Sequence, residues 1–237
     1  MDSQRGKLFI VSTPIGNLLD ITPRALECLE EVDIIACEDT RHSGKLLNKY
    51  KIETHRISLH KHNEASRTAK LIGKMISGHD VAYITDAGTP LISDPGSRLV
   101  HLASQEGCEI VVVPGPSAVT AAIAGSGFPA DRFYFGGFLS TKKKARQDEL
   151  RDALERAETS IFFDSPYRLV STLELLSNLD TDRPIVVARE LTKKFEEFKR
   201  GKALDLANLF SQKPVKGEIV IIISGARIPR WLNSEQT

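Results

Sequence analysis

The chain has 237 residues, of which 41% are hydrophobic and 27% are charged, with a formal net charge of +1. A chain of this length can bury two separate cores, and we expect two domains. The ordinary hydrophobic share excludes intrinsic disorder. The near-neutral charge of the whole chain excludes a strongly acidic or basic protein and says little about partners.

Cysteine usage and hydropathy bear on the compartment. The three cysteines, Cys28, Cys37 and Cys108, form no CxxC pair, so neither a zinc site nor a disulfide framework is expected. The N-terminal apolar run is too short for a signal peptide, and Pro14 interrupts it too early. No apolar stretch approaches the roughly 20 residues of a membrane span. We therefore predict a cytoplasmic protein without a metal and without membrane contact.

In the first half, short runs rich in valine and isoleucine alternate with amphipathic segments. Strands are predicted over residues 8–11, 34–36, 81–85 and 110–113. Helices are predicted from Pro23 onward, with Thr22 as the cap, and over residues 64–77 and 97–106. Strands that are apolar on both faces and separated by helices are typical of a parallel sheet covered by helices.

The pattern changes near Gly125. Strands are then predicted over residues 133–135, 160–163, 185–188, 195–199 and 218–223, and helices over about 145–157, 169–179 and 203–210. The polar strand that turns at Gly201 is typical of a sheet edge, so the second sheet is predicted to be mixed. The predicted fold is α/β, with a mostly parallel N-terminal domain over 1–124 and a mixed-sheet C-terminal domain over 125–237.

Three loops rich in glycine and proline follow strands on one edge of the first predicted sheet, at residues 13–17, 86–96 and 114–118. Ligands of open α/β sheets bind outside the carboxyl ends of the strands. Any one such loop could be a turn built for folding alone, but three on one edge favour a shared pocket.

The ligand of this pocket is predicted to lack phosphates. The chain has no GxxxxGK[ST] phosphate loop, and its GxGxxA match at 125–130 follows a helix-like run instead of a strand. The loops offer backbone groups, apolar contacts and hydroxyls such as those of Thr89 and Ser117. This combination suits a nucleoside.

Several longer motifs indicate one family, and EDTR, HKHNE and DAGTPLISDPG together are highly specific to one branch of it. They include EDTR at 38–41, HKHNE at 60–64, DAGTPLISDPG at 86–96, VPGPSA at 113–118 and FFDSPYRL at 162–169. With these motifs the chain resembles the tetrapyrrole methylase superfamily, the class III methyltransferases that use S-adenosyl-L-methionine (SAM). Within it, the chain is similar to the branch that methylates the 2'-oxygen of a cytidine in the decoding region of small-subunit (16S) ribosomal RNA. The resemblance implies a homodimer that acts on this RNA or on the small ribosomal subunit, with SAM in a cleft between the two domains.

The resemblance also implies which residues bind SAM. In the first domain they are Pro14, Ile15, Gly88, Thr89, Pro90, Ile92, Ser117 and Ala118. In the second domain they are Phe163, Pro166, Ala188, Arg189, Glu218 and Ile219. Thr89 stands where other branches carry the aspartate of a GDP loop, so a hydroxyl and backbone groups replace a carboxylate here.

Methyl transfer to a ribose hydroxyl needs an aligned acceptor and a group that removes or polarises the hydroxyl proton. The candidates follow the second strand: Glu38 or Asp39 orients or deprotonates the hydroxyl, and Arg41 binds an RNA phosphate. The alternative is structural, with Asp39 capping the next helix and Arg41 paired with a carboxylate. The sequence leaves both open.

Two further polar clusters are candidates for RNA contact. They comprise His62 and Asn63 in one segment and Lys142, Lys143, Lys144 and Arg146 in the other. Asn63 either caps a helix or, with His62, touches the target nucleotide. The second cluster places cations at a helix start, which is the wrong end for the helix dipole. It is either a phosphate-binding patch or a solvated face.

Two other functions stay open: methylation of a precorrin-type tetrapyrrole, and a non-catalytic module for RNA binding or ribosome assembly. The EDTR and HKHNE motifs favour the RNA-directed enzyme, and affinity for SAM separates it from the module. Members of this branch often continue into a small helical extension, whereas this chain ends at Thr237. We therefore expect the two core domains alone to hold the RNA.

Overall fold

The computed structural model describes residues 5–227, which divide into two compact units, one ending at Ser117 and one beginning at Ala118. The first four residues lie outside this described part. So does the end of the chain, to which the expectation about the helical extension refers. Within residues 5–227, no helix has both the length and the apolar character needed to cross a bilayer.

The first unit is a five-stranded parallel sheet with helices on both faces. Its strands are β1 (Leu8–Val11), β2 (Ile34–Cys37), β3 (His55–Ser58), β4 (Val81–Ile84) and β5 (Ile110–Val113). Its helices are α1 (Pro23–Glu31), α2 (Thr40–Lys49), α3 (Glu64–Ile76) and α4 (Ser97–Gln105). The strand order is β3-β2-β4-β1-β5, and every pair is parallel. The predicted parallel sheet is therefore confirmed.

Alternation along the central strands explains why they read as continuous apolar runs. On β2, Ile35 and Cys37 enter one apolar layer, whereas Ile34 and Ala36 enter the opposite one. Because successive side chains of a strand point to opposite faces, a sheet covered on both sides needs apolar residues at every position. The predicted cap of α1 is also confirmed, since the Thr22 hydroxyl accepts a hydrogen bond from the Ala25 N–H at 3.1 Å.

The second unit contains a five-stranded mixed sheet, as predicted. Its strands are β6 (Phe133–Phe138), β7 (Thr159–Asp164), β8 (Pro184–Arg189), β9 (Glu197–Lys202) and β10 (Ile219–Ile223). Its helices are α5 (Ala118–Ser126), α6 (Lys143–Glu155), α7 (Leu169–Leu179) and α8 (Ala203–Ser211). The order is β6-β7-β10-β8-β9, with β6 and β7 parallel and the other pairs antiparallel. The polar strand β9 lies at the edge, but it continues through Gly201 instead of turning there.

The helix α5 goes with the second unit. It packs against β8 and β10, so the division between the units falls after Ser117, seven residues before the predicted boundary at 124/125. Gly125 lies within α5, and Gly127 follows it with φ +79°. The formal GxGxxA match is thus the end of a helix.

Candidate active site

The first and second of the three predicted loops are joined by their backbones. Thr13 and Gly88 form an isolated antiparallel bridge, in which the Thr13 N–H donates to the Gly88 carbonyl at 2.9 Å and the Gly88 N–H returns a bond at 3.0 Å. The Thr13 hydroxyl also donates to the Thr85 carbonyl at 3.2 Å. The turns after β1 and β4 are therefore one structure.

Thr89 connects these two loops to the third. Its hydroxyl donates to the Pro116 carbonyl at 3.2 Å and lies 3.1 Å from the Ser12 hydroxyl. Because a hydroxyl has only one proton, Ser12 is the donor in the second contact when Thr89 donates to Pro116. All three predicted loops meet at the carboxyl edge of the sheet, and the half-buried Thr89 stands at their centre.

Left-handed backbone is concentrated in two loops, one in each unit. Of the five non-glycine residues with positive φ in the described part of the chain, Leu91 (φ 72°) and Ser93 (φ 67°) belong to the 86–96 loop. Glu190 (φ 53°) and Thr192 (φ 63°) belong to the loop that follows β8 in the second unit. Such conformations cost about 1–3 kcal/mol each and persist where surrounding contacts enforce them, often at ligand sites.

The loops of the first unit fit a nucleoside-type cofactor such as SAM. A Cβ placed on Gly88, which has φ +83°, would lie 3.2 Å from Ile15 Cγ2 and 3.8 Å from the Pro116 carbonyl oxygen, so the glycine keeps this cradle open. Ile92 is 43% exposed beside it, whereas Pro14 and Pro90 are buried and shape the turns. Apolar side chains, a hydroxyl and backbone groups suit adenosine and an amino-acid moiety.

Glu38 follows β2 and faces the same edge. The Thr85 hydroxyl, at the end of β4, donates to Asp94 Oδ2 at 2.7 Å and lies 3.5 Å from Glu38 Oε2. Burial raises the pKa of Glu38, and the negative charges of Asp94 and Asp86 raise it further. Burial also raises the pKa of Asp94. Glu38 is therefore a stronger base than an ordinary glutamate, and it is half-buried rather than enclosed.

Asp39 is engaged as a helix cap. Its Oδ1 accepts the N–H groups of Arg41 at 2.7 Å and of His42 at 3.4 Å, and these bonds begin α2. The bond from Arg41 is the main reason that the pKa of Asp39 lies below its ordinary value. The structural alternative for Asp39 is confirmed, and the lowered pKa makes it a weaker base than Glu38. Arg41 itself is exposed.

The HKHNE segment is fastened to the same edge, although not by the predicted cap. Asn63 makes no side-chain bond to the start of α3. Its Oδ1 accepts the His60 N–H at 2.9 Å, and its Nδ2 contacts the Ser58 carbonyl at 3.3 Å and His60 Nε2 at 3.1 Å. Asn63 therefore stabilises the turn between β3 and α3. His62 is exposed.

Glu64 links this turn to the 86–96 loop. Its Oε1 accepts the Gly96 N–H at 3.0 Å, and the Asp39 N–H donates to Asp86 Oδ1 at 3.2 Å. The EDTR and HKHNE motifs are thus each bonded to the DAGTPLISDPG motif. Three segments that are far apart in sequence form one site in the first unit.

Strand register brings the second-unit candidates to one edge of their own sheet. Ile219, the first residue of β10, lies opposite Asp164 on β7 and Arg189 on β8. The candidates at this edge are Phe163, Pro166, Ala188, Arg189, Glu218 and Ile219.

Side chains at this edge differ in what they can offer a ligand. Ala188 is fully buried and Ile219 is 2% exposed, so neither residue offers a ligand appreciable surface. Arg189 is held by Glu197 and by the Lys216 carbonyl, the latter at 3.0 Å. Glu218 pairs with Lys193 at 3.1 Å. The half-buried Phe163 is thus the main apolar surface among them.

The basic cluster divides into exposed and buried members. Lys142, Lys143 and Lys144 are exposed, and Lys144 pairs with Asp148 at 3.1 Å. Arg146 is 5% exposed, and its guanidinium donates to the Ser140 carbonyl at 3.2 Å. The prediction that Arg146 contacts RNA therefore does not fit its position, because helix periodicity turns this residue toward the core. Within residues 5–227, no group of three or more potential ligands is arranged to hold a metal ion.

Two residues of the site, Ser12 and Thr85, were not singled out from the sequence, and Glu64 was noted only as part of the HKHNE cluster. The hydroxyls of Ser12 and Thr85 join the loops, and Glu64 fastens the HKHNE turn. Ser12 and Thr85 carry a usable signal, since each is a polar residue directly after an apolar strand. The partner of Glu64 lies 32 residues away, and no local pattern indicates it.

Comparison with known proteins places this arrangement among methyltransferases. The family profile described as Tetrapyrrole (Corrin/Porphyrin) Methylases matches residues 7–207. A Synechocystis protein named ribosomal RNA small subunit methyltransferase I is 46% identical over 222 residues, which are 93% of this chain and 80% of the relative. A Thermotoga maritima protein of the same name is 46% identical over 220 residues, which are 93% of this chain and 99% of the relative.

A solved structure shares the fold at much lower identity. The cobalamin biosynthetic enzyme titled cobalt precorrin-4 methyltransferase aligns with a TM-score of 0.68 and 21% identity, over 94% of this chain and 96% of that one. At this identity the likeness shows the fold, and the acceptor has to be argued from the site.

Proposed function

Because the chain belongs to the tetrapyrrole methylase family, we propose that it transfers the methyl group of SAM to the 2'-hydroxyl of a cytidine in the decoding region of small-subunit ribosomal RNA. The observation that carries this proposal is the bonding of EDTR and HKHNE to the loop that would hold the cofactor. An acceptor-binding segment and a donor-binding loop that share hydrogen bonds are what a group transfer requires.

The cofactor would be held by the loops around Thr89. Ile15 and Ile92 provide apolar contact, Gly88 allows close approach to the backbone, and the Thr89 hydroxyl provides polar contact. When bound, SAM supplies an electrophilic methyl group on a sulfonium sulfur, which keeps the electron pair of the broken C–S bond. The second-unit candidates around Phe163 are proposed as further contacts.

Glu38 acts as the general base in this proposal. Its carboxylate accepts the proton of the ribose 2'-hydroxyl while the oxygen forms its bond to the methyl carbon. The raised pKa of Glu38 suits this task, because a base with a higher pKa takes the proton with a greater driving force. Asp39 supports the reaction by starting α2, and the exposed Arg41 is proposed to bind an RNA phosphate.

RNA as the acceptor is supported by the relatives' name and by the exposed cations. Lys142, Lys143 and Lys144 stand in solvent at the start of α6, where they are proposed to meet phosphates. His62 is also exposed and is proposed to touch the target nucleotide, whereas Asn63 positions its turn. The homodimer and the cytoplasmic location stay predictions.

The test supplies labelled SAM with three acceptors in parallel: isolated small ribosomal subunits, their naked RNA, and a precorrin-type tetrapyrrole. We expect label on RNA or subunits and none on the tetrapyrrole. Label on the tetrapyrrole alone would replace the proposal with its first alternative. Absence of both SAM binding and transfer, with retained RNA binding, would replace it with the non-catalytic module.

A further inference from the structure

Two aromatic side chains of the second unit are exposed at the carboxyl ends of neighbouring strands. Tyr167 is 94% exposed and Phe138 is 63% exposed. Aromatic rings usually contribute large buried areas to a core, so two such rings left in solvent indicate a surface that binds something.

Both rings lie at one sheet edge. Phe138 ends β6 opposite Phe163 of β7, and the centroids of their rings are 5.2 Å apart. Tyr167 belongs to the turn that leaves β7 and begins α7. The adjacent strands therefore present both rings beyond the same ends of the sheet.

The turn that carries Tyr167 is fixed from within. Asp164, whose side chain is fully buried, pairs with Arg168 at 2.9 Å and accepts the Thr172 hydroxyl at 2.7 Å. These bonds flank Tyr167 in sequence and hold its backbone. Because the backbone of this turn is already ordered, stacking a ligand on the ring requires little further ordering of the turn.

Cations stand at the same edge. The buried Arg146 donates to the Ser140 carbonyl and reaches Ser171 Oγ of α7 at 3.4 Å, so the start of α6 lies against the start of α7. Lys142 and Lys143 are exposed there. The rings and the lysines therefore belong to adjoining segments of the second unit, because Lys142 follows Phe138 by four residues and α6 begins beside α7.

We propose that Tyr167, Phe138, Lys142 and Lys143 form a surface that binds single-stranded RNA, with bases stacked on the two rings and phosphates against the two lysines. The inference rests on the proposed function for the identity of the substrate, and it adds the contacts that hold the strand. Single-stranded nucleic acids are bound in this way because every base has a face that stacks, while the backbone carries one negative charge per nucleotide. The lysines favour this occupant over an apolar protein face.

The test measures binding of a short, fluorescein-labelled single-stranded RNA to the full chain at several salt concentrations. Tyr167→Ala is expected to raise the dissociation constant about 5- to 150-fold, the range for loss of one stacked base, and to leave its salt dependence unchanged. Lys142→Ala with Lys143→Ala is expected to lower the salt slope by about 0.7 for each phosphate that is no longer neutralised. The same RNA annealed to its complement should respond to the lysine changes and not to Tyr167→Ala.

Phe133→Ala is the matched control, because Phe133 is 40% exposed at the opposite end of β6. It should leave RNA binding unchanged. Tyr167→Ala removes almost no buried area, so a failure to fold would not explain its effect. Phe138→Ala is expected to act in the same direction.

Two results would overturn the inference: unchanged binding of single-stranded RNA by Tyr167→Ala, or a change of oligomeric state in that variant with RNA affinity per protomer intact. The second result would identify the surface as an interface between copies of the chain. Failure of wild-type methyl transfer would instead count against the proposed function, because the binding assay contains no SAM.

Discussion

Replacing Gly88 with alanine tests whether the 86–96 loop forms the cofactor cradle. Gly88 has φ +83°, and its backbone N–H and carbonyl bond to Thr13. An added methyl group would strain the left-handed conformation and would approach Ile15 Cγ2 to 3.2 Å. The first consequence follows from the backbone of Gly88, and the second from the position of the Ile15 side chain.

The two consequences have different magnitudes and different targets. The left-handed conformation costs an L-residue about 1–2 kcal/mol, which lowers the free energy of unfolding. The contact at 3.2 Å requires Ile15 to shift by a few tenths of an ångström. Where SAM binding requires Ile15 in its original position, returning the side chain against the added methyl group costs about 0.5–1.5 kcal/mol, which is about a two- to tenfold loss of SAM affinity.

Gly127→Ala provides the control. Gly127 has a nearly equal φ of +79°, and nothing lies within 4 Å of the position of an added Cβ. Urea denaturation should therefore give similar losses of stability for both variants. Titration calorimetry with SAM should show weakened binding for Gly88→Ala only. Equal SAM affinity in the two variants would refute the assignment of Gly88 and Ile15 to the cofactor site.

Three further predictions follow from the site and the helices. Glu38→Gln should abolish methyl transfer and retain SAM binding. The raised pKa of Glu38 in the wild type means that its contribution to folding is favourable at low pH and is lost as the pH rises through that pKa. The variant should therefore be more stable than wild type at pH 7. Asp94→Asn should shift the acid limb of kcat/KM to lower pH, since it removes a charge that raises the pKa of Glu38; an unmoved limb would argue against Glu38 as the base. Asp39→Asn should keep activity within a few fold, because asparagine also caps helices. Asp39→Ala should lower the free energy of unfolding by about 1 kcal/mol in thermal denaturation. A loss of activity in Asp39→Asn as large as that in Glu38→Gln would make Asp39, and not Glu38, the general base.

Both sheets were predictable because their strands carry a strong local signal. The central strands of the first sheet are apolar at every position, as in the sequence IIAC of β2, and glycine- or proline-rich loops follow β1 and β4. The strand β3 was missed, since its sequence HRIS is polar and its burial is incomplete at the sheet edge. An edge strand with one neighbour needs no continuous apolar run.

The loops that form the site were predictable from the sequence. The role of each residue in the site was much less so. Residues near Glu38 and Gly88 were predicted to share an edge because each segment directly follows a strand of the predicted parallel sheet. The choice between Glu38 and Asp39 depended on interactions that only the fold supplies: the hydrogen bonds by which Asp39 caps α2, and the negative charges of the carboxylates near Glu38. Arg146 illustrates the same limit, because its position in a basic run gave no sign of its burial.

The most direct test of the central claim maps the methyl group. Small ribosomal subunits or their RNA are incubated with SAM and either wild type or Glu38→Gln, and the RNA is then hydrolysed by alkali. A 2'-O-methyl group blocks cleavage at its own nucleotide, so we predict one new alkali-resistant position at a cytidine of the decoding region with wild type and none with Glu38→Gln. A methyl group transferred only to a base or to a tetrapyrrole, or a Glu38→Gln variant as active as wild type, would contradict the account.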